Sequence, residues 1–134
     1  MKRSIKFLIE SKFYKKEITL KSCYNLLNSQ GFDVIEFSSF EDTLIKELQL
    51  TEIIKYYNCF TYIGNSSKYI FIKSGLTDRD KIILLLHEEG HIYLEHTACG
   101  NELIHNTSTW KEWQANMFYF TVSAVNKFFR HGIY

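Results

Sequence analysis

Apolar residues recur along this chain with two different periods, and the change from one to the other marks its elements. From Thr19 the spacing is helical: Leu20, Cys23, Tyr24 and Leu27 share a face, Thr19 offers a capping oxygen, and Gly31 ends the run. Residues 34–37 read as a short strand. Over 38–57 the pattern fits either state, since Leu44, Ile45 and Leu48 suit a helix while Ile53 and Ile54 suit both. Phe60-Thr61-Tyr62-Ile63 and Tyr69-Ile70-Phe71-Ile72 are rich in aromatic and β-branched residues and flank Gly64-Asn65-Ser66-Ser67, which predicts a hairpin. Ser74-Gly75 breaks the second strand, and Thr77 with Asp80 resembles a capping box, predicting a helix over 78–95. After a polar loop at 97–108, Thr109 and Glu112 form a second cap-like pair before an aromatic-rich helix that runs to about 129. Helix, strand, hairpin and two long helices make an α+β arrangement with a small sheet that contains an antiparallel pair.

Composition narrows the classes. The 134 residues, 46% hydrophobic and 23% charged, suit one self-supporting domain over 1–134 and argue against disorder. The 16 basic and 15 acidic residues leave a formal net charge of +1, so no broad field draws the chain to nucleic acid or an acidic membrane. The longest aliphatic run, 82–86, is far shorter than a membrane span, and Phe7-Leu8-Ile9 stops at Glu10, too soon for a signal-peptide core. Cys23, Cys59 and Cys99 are odd in number and form no Cys-x-x-Cys pair, so reduced, buried thiols in a cytoplasmic protein are expected.

The chemistry-bearing residues are His87-Glu88-Glu89-Gly90-His91, inside the helix predicted over 78–95. Residues four apart lie on one helical face, so the two imidazoles can converge on one ion, and neutral imidazole suits zinc. Glu88 lies about 100° around the helix from His87, beside the open coordination position. A carboxylate there can take a proton from water held at the ion and return it to a leaving amine. Glu89 points elsewhere and reads as a solvated charge. Gly90 removes a side chain beside the site. A buried pair of structural histidines is the competing reading.

A catalytic zinc takes three protein ligands and leaves one position for water. His96 does not fit the metzincin spacing, because Leu94 and Thr97 stand where that pattern needs Gly and His. Glu112, in Glu-Trp-Gln-Ala-Asn (112–116), is the expected third ligand. One rotamer cannot both bind the ion and cap the last helix with Thr109. Asn116, one turn further on the same face, is placed to hydrogen-bond a ligand imidazole.

His-Glu-Glu-Gly-His-Ile-Tyr-Leu-Glu-His (87–96), followed by Glu-Trp-Gln-Ala-Asn-Met-Phe (112–118), resembles the ImmA/IrrE family of bacterial and phage metallopeptidases. The family pattern is a His-Glu-x-Gly-His helix, often with a His shortly after, and a later Glu-x-x-Ala-Asn-x-Phe. The strand–turn–strand before the helix matches as well, so the resemblance spans roughly 33–125. It implies a zincin-like helical core with the metal-binding helix buried, one zinc per chain on His87, His91 and Glu112, and Glu88 as general base. It also implies a helix-turn-helix repressor as protein substrate, whose cleavage derepresses a mobile element or stress regulon. Phe120-Thr-Val-Ser stands where the family usually carries Leu-Met-Pro.

Amide hydrolysis passes through an oxyanion, for which His96, His105, Tyr93 and Tyr119 are candidate donors; a helix-end His, a loop His and packed Tyr residues are the plainer readings. Trp110, Trp113, Met117, Phe118 and Phe120 are expected to form core and groove wall. Three functions compete: a zinc endopeptidase acting on a repressor, a metal-binding module that inactivates a repressor without cutting it, and a metal-free interaction domain. The intact set of His87, Glu88, His91 and Glu112 favours the first. No direct nucleic-acid or membrane contact is expected.

Overall fold

The computed structural model describes residues 2–64, 66–94, 102–103 and 109–131. Helices α1 (Lys2–Ser11), α2 (Leu20–Ser29), α3 (Thr43–Glu47), α4 (Asp78–Tyr93) and α5 (Thr109–His131) accompany strands β1 (Asp33–Phe37), β2 (Cys59–Ile63), β3 (Lys68–Lys73) and the two-residue β4 (Glu102–Leu103). The strands form one mixed sheet in the order β1-β3-β2-β4. β1 runs parallel to β3, and β2 pairs antiparallel with both β3 and β4. No helix among the described residues is long and apolar enough to cross a membrane.

Alternation along the strands splits the core between the two faces of the sheet. Ile70 and Ile72 point toward α1, α2, α4 and α5, joining Phe7, Leu27, Leu85 and Phe118. Phe71 points the other way, with Phe37 and Phe60, onto Ile45 and Leu50. The stretch 38–57, which fits either state by pattern, is therefore a separate layer. It holds α3 and a 3-10 turn at Ile53–Lys55, and its inward residues Ile45 and Leu50 are fully buried. The hairpin forms as expected, closed by the Gly64 N–H on Ser67 O at 2.7 Å.

Local chemistry sets the helix ends. Thr19 and Ser22 form a reciprocal capping box on α2, and Gly31 at φ +89° supplies the left-handed turn that leads into β1. Thr77 Oγ1 accepts from the Asp80 N–H at 3.1 Å, and Asp78 and Asp80 in the first turn of α4 complement its dipole. The sequence pattern did not predict α1. Its inward residues are Ser4, Phe7 and Leu8, while Ile5 and Ile9 face out, which blurs the helical period.

α4 is tied to both strands and helices around it. Lys81 Nζ meets Glu36 Oε1 of β1 at 2.6 Å. Thr61 of β2 bonds Glu88, and Gly90 lies against α5. The N-terminal segment braces α5 in turn, since buried Asn126 donates to the carbonyls of Phe13 and Lys16.

Candidate metal centre

His87 and His91 occupy the last turns of α4, which ends at Leu94 with its N–H on Gly90 O at 3.0 Å. Four residues apart on one face, their rings lie 4.9 Å apart at 80°, with the two Nε2 atoms 3.2 Å from each other. Glu112, in the first turn of α5, brings Oε2 to 2.5 Å from His91 Nε2 and 3.5 Å from His87 Nε2. One ligand atom from each residue falls within 4.8 Å of the others. Glu112 is therefore turned toward the histidines of α4.

The approach of the two helices depends on small residues. A Cβ at Gly90 would stand 3.2 Å from both the Ala115 Cα and Phe118 Cδ1, so a larger residue there requires α5 to give by a few tenths of an ångström. Ala115 is fully buried at this crossing. His91 is buried beneath it, while His87 and Glu112 keep partial access to solvent.

Asn116 Oδ1 lies 2.9 Å from His87 Nδ1, an acceptor that favours the tautomer with its proton on Nδ1 and its Nε2 lone pair toward His91 and Glu112. Donors bound at about 2.0–2.2 Å around a tetrahedral zinc stand about 3.3 Å apart. The 3.2 and 3.5 Å separations bracket that value, and the 2.5 Å one is shorter. Glu112 Oε2 is buried without a hydrogen-bond partner despite its closeness to His91, so the two approach without the alignment of an N–H···O bond. A buried acceptor without a donor is costly, and a cation at this point satisfies it together with the imidazole lone pairs. Two imidazoles and a carboxylate are a donor set that fits zinc.

Glu88, next to His87 on α4, is turned toward the sheet. Its Oε1 accepts from Thr61 Oγ1 at 3.0 Å, and both residues are buried. Burial pushes the carboxyl up to about 8; the Thr61 hydrogen bond opposes this and the nearby Glu112 charge adds to it. Thr61 was not anticipated. It is the one polar residue in the row Cys59, Thr61, Ile63 that faces the helices, which was the available signal.

Several expectations need correction. Glu89 is not solvated: it is 1% exposed, and Gln30 Nε2 at the end of α2 donates to its Oε1 at 2.5 Å. Burial pushes this carboxyl up to about 8 against that hydrogen bond. α2 covers the flank of α4 that the sequence leaves open. Of the aromatic and Met residues expected in core and groove wall, Phe118 is buried against Gly90, Trp110, Trp113 and Met117 are half-exposed and line a groove with Ser4 of α1 and Leu94 at the end of α4, and Phe120 is exposed outside it.

Among the oxyanion candidates, Tyr93 donates its hydroxyl to Glu10 Oε1 at 2.8 Å, with its ring against Phe7. Tyr119 lines a groove of about 320 Å³ between α4 and α5, with Arg79, Leu86 and Ser123. His96 and His105 lie outside the described residues. Cys23 is buried, as a small apolar side chain would be, and Cys99 also falls outside the described residues.

No protein-family model, curated protein or solved structure matches this chain.

Proposed function

We propose that the chain is a zinc-dependent endopeptidase of the ImmA/IrrE kind, with a zincin-like core, acting on a protein substrate in the cytoplasm. The observation that carries this reading is the convergence of His87, His91 and Glu112, with the buried Glu88 carboxyl near enough to feel the Glu112 charge. The three residues would hold one zinc ion per chain, which when bound supplies Lewis acidity for water activation and carbonyl polarisation.

The chain's own residues supply the rest. Glu88, in its ionised form, would take a proton from the attacking water and hand it to the leaving amine. Thr61 orients that carboxyl, and Asn116 favours the His87 tautomer that offers Nε2. Phe60 and Thr61 are fully buried, so β2 does not present its backbone to a peptide at the level of Glu88. The proposed substrate is a helix-turn-helix repressor, and the output is its inactivation.

Glu88→Gln tests the reading, because it preserves size and the Thr61 contact but removes the base. Incubated with a helix-turn-helix repressor that the native chain cleaves, the variant is expected to keep its zinc and lose cleavage by at least about 10²-fold. Full cleavage by the variant overturns the assignment of Glu88. Full derepression in the cell without any cleavage replaces peptidase action with binding.

A further inference from the structure

The outer face of α5 is unexpectedly apolar. Trp110 is 62% exposed, Trp113 52%, Met117 36% and Phe120 60%. They recur at intervals of three, four and three residues, and Ala124 and Lys127, both exposed, continue the alternation without a break. The buried residues Ala115, Phe118, Val122 and Asn126 occupy the opposite face. An exposed 3-4 repeat of this kind is the seam along which two helices pack, and a helix apolar on both faces is ordinarily covered on both.

We propose that this seam is occupied by α5 of a second copy of the chain, packed antiparallel about a two-fold axis. Area favours an occupant. Large side chains of ~150–250 Å², about half exposed, with Ala124 and the Lys127 stem beside them, present roughly 500 Å². That reaches the upper range of apolar patches on monomers, and two copies bury about 1,000 Å² between them, where specific interfaces begin.

Self-complementarity selects the second copy. With the axis between positions 118 and 119, Met117 faces Phe120 of the other copy, and Trp113 faces Ala124, large against small. Trp110 faces Lys127, which sets an ammonium group over an indole. Trp110 and Trp113 already stack at 5.1 Å and 14°, forming a flat platform for that contact. The seam carries no acidic residue and no pair of like charges in this register. An isologous contact of this form closes on itself and stops at two copies.

Sedimentation equilibrium of the full chain across a dilution series should give twice the chain mass at high concentration. Met117→Glu and Phe120→Lys are both exposed substitutions, and each should lose the dimer while the far-ultraviolet circular dichroism stays unchanged. Mixed together, the two variants should regain it, because position 117 of one copy faces position 120 of the other. A native chain that remains monomeric overturns the second copy as occupant and leaves a foreign amphipathic helix as the partner class. A dimer that survives both charges overturns the seam, and loss without recovery on mixing overturns the antiparallel register.

Discussion

The proton on His87 Nδ1 is favoured by Asn116, a residue that donates nothing to the cluster itself. Asn116→Ala removes the acceptor for Nδ1–H and frees the imidazole to rotate or to protonate the wrong nitrogen. Zinc affinity should fall by about 10–100-fold, the usual effect of losing such a partner. Competition with a chromogenic chelator measures it, and Asn116→Asp, which keeps an acceptor oxygen, should recover most of the loss. If the alanine variant binds zinc as tightly as the native chain, Asn116 only covers the site. At this scale the sequence is most readable where side chains share one helix face. His87, His91, Glu112 and Asn116 all follow from positions on helix faces. Thr61 and Gln30 do not, because they reach Glu88 and Glu89 from elements 27 and 59 residues away along the chain. A glutamate reads as solvated until the helix that covers it is known.

Between elements, the crossing of α4 and α5 at Gly90 and Ala115 decides whether Glu112 reaches the histidines. A branched side chain at position 90 forces the helices apart, and Glu112 moves with α5. Gly90→Val should destabilise the fold by about 1–3 kcal/mol, the range for overpacking a close contact, although valine is the better helix former. Thermal unfolding reads the first effect. Zinc binding, measured on protein still folded by circular dichroism, should weaken as well; unchanged affinity would show that the site tolerates a wider helix spacing. Periodicity and caps located α2, α4, α5 and the hairpin to within a few residues. They failed over 38–57, where the layer is short and shaped by what it covers. Along α5 one helix carries two apolar faces, and pattern alone does not say that the fold buries Phe118 and leaves Trp110, Trp113 and Met117 lining a groove.

Across the whole molecule, the sheet divides two cores and the site sits on one side of it, between α4 and α5. β3 is paired along both edges and covered on both faces, and Ile70, Phe71 and Ile72 have no exposed surface. Its amides therefore have no local route to solvent. In hydrogen–deuterium exchange they should be the last to be labelled, at a rate that follows global unfolding, while α1 and α5 exchange earlier through partial opening. Thr61 pairs directly with Ile70 in this ladder, so the floor beneath Glu88 belongs to the slowest-opening unit. Glu112, on α5, belongs to a faster one. The cluster then straddles a boundary between two cooperative units, and an ion bound there would join their opening into a single event, slowing exchange in α5 most and slowing β3 as well, because the unfolded chain has no such site.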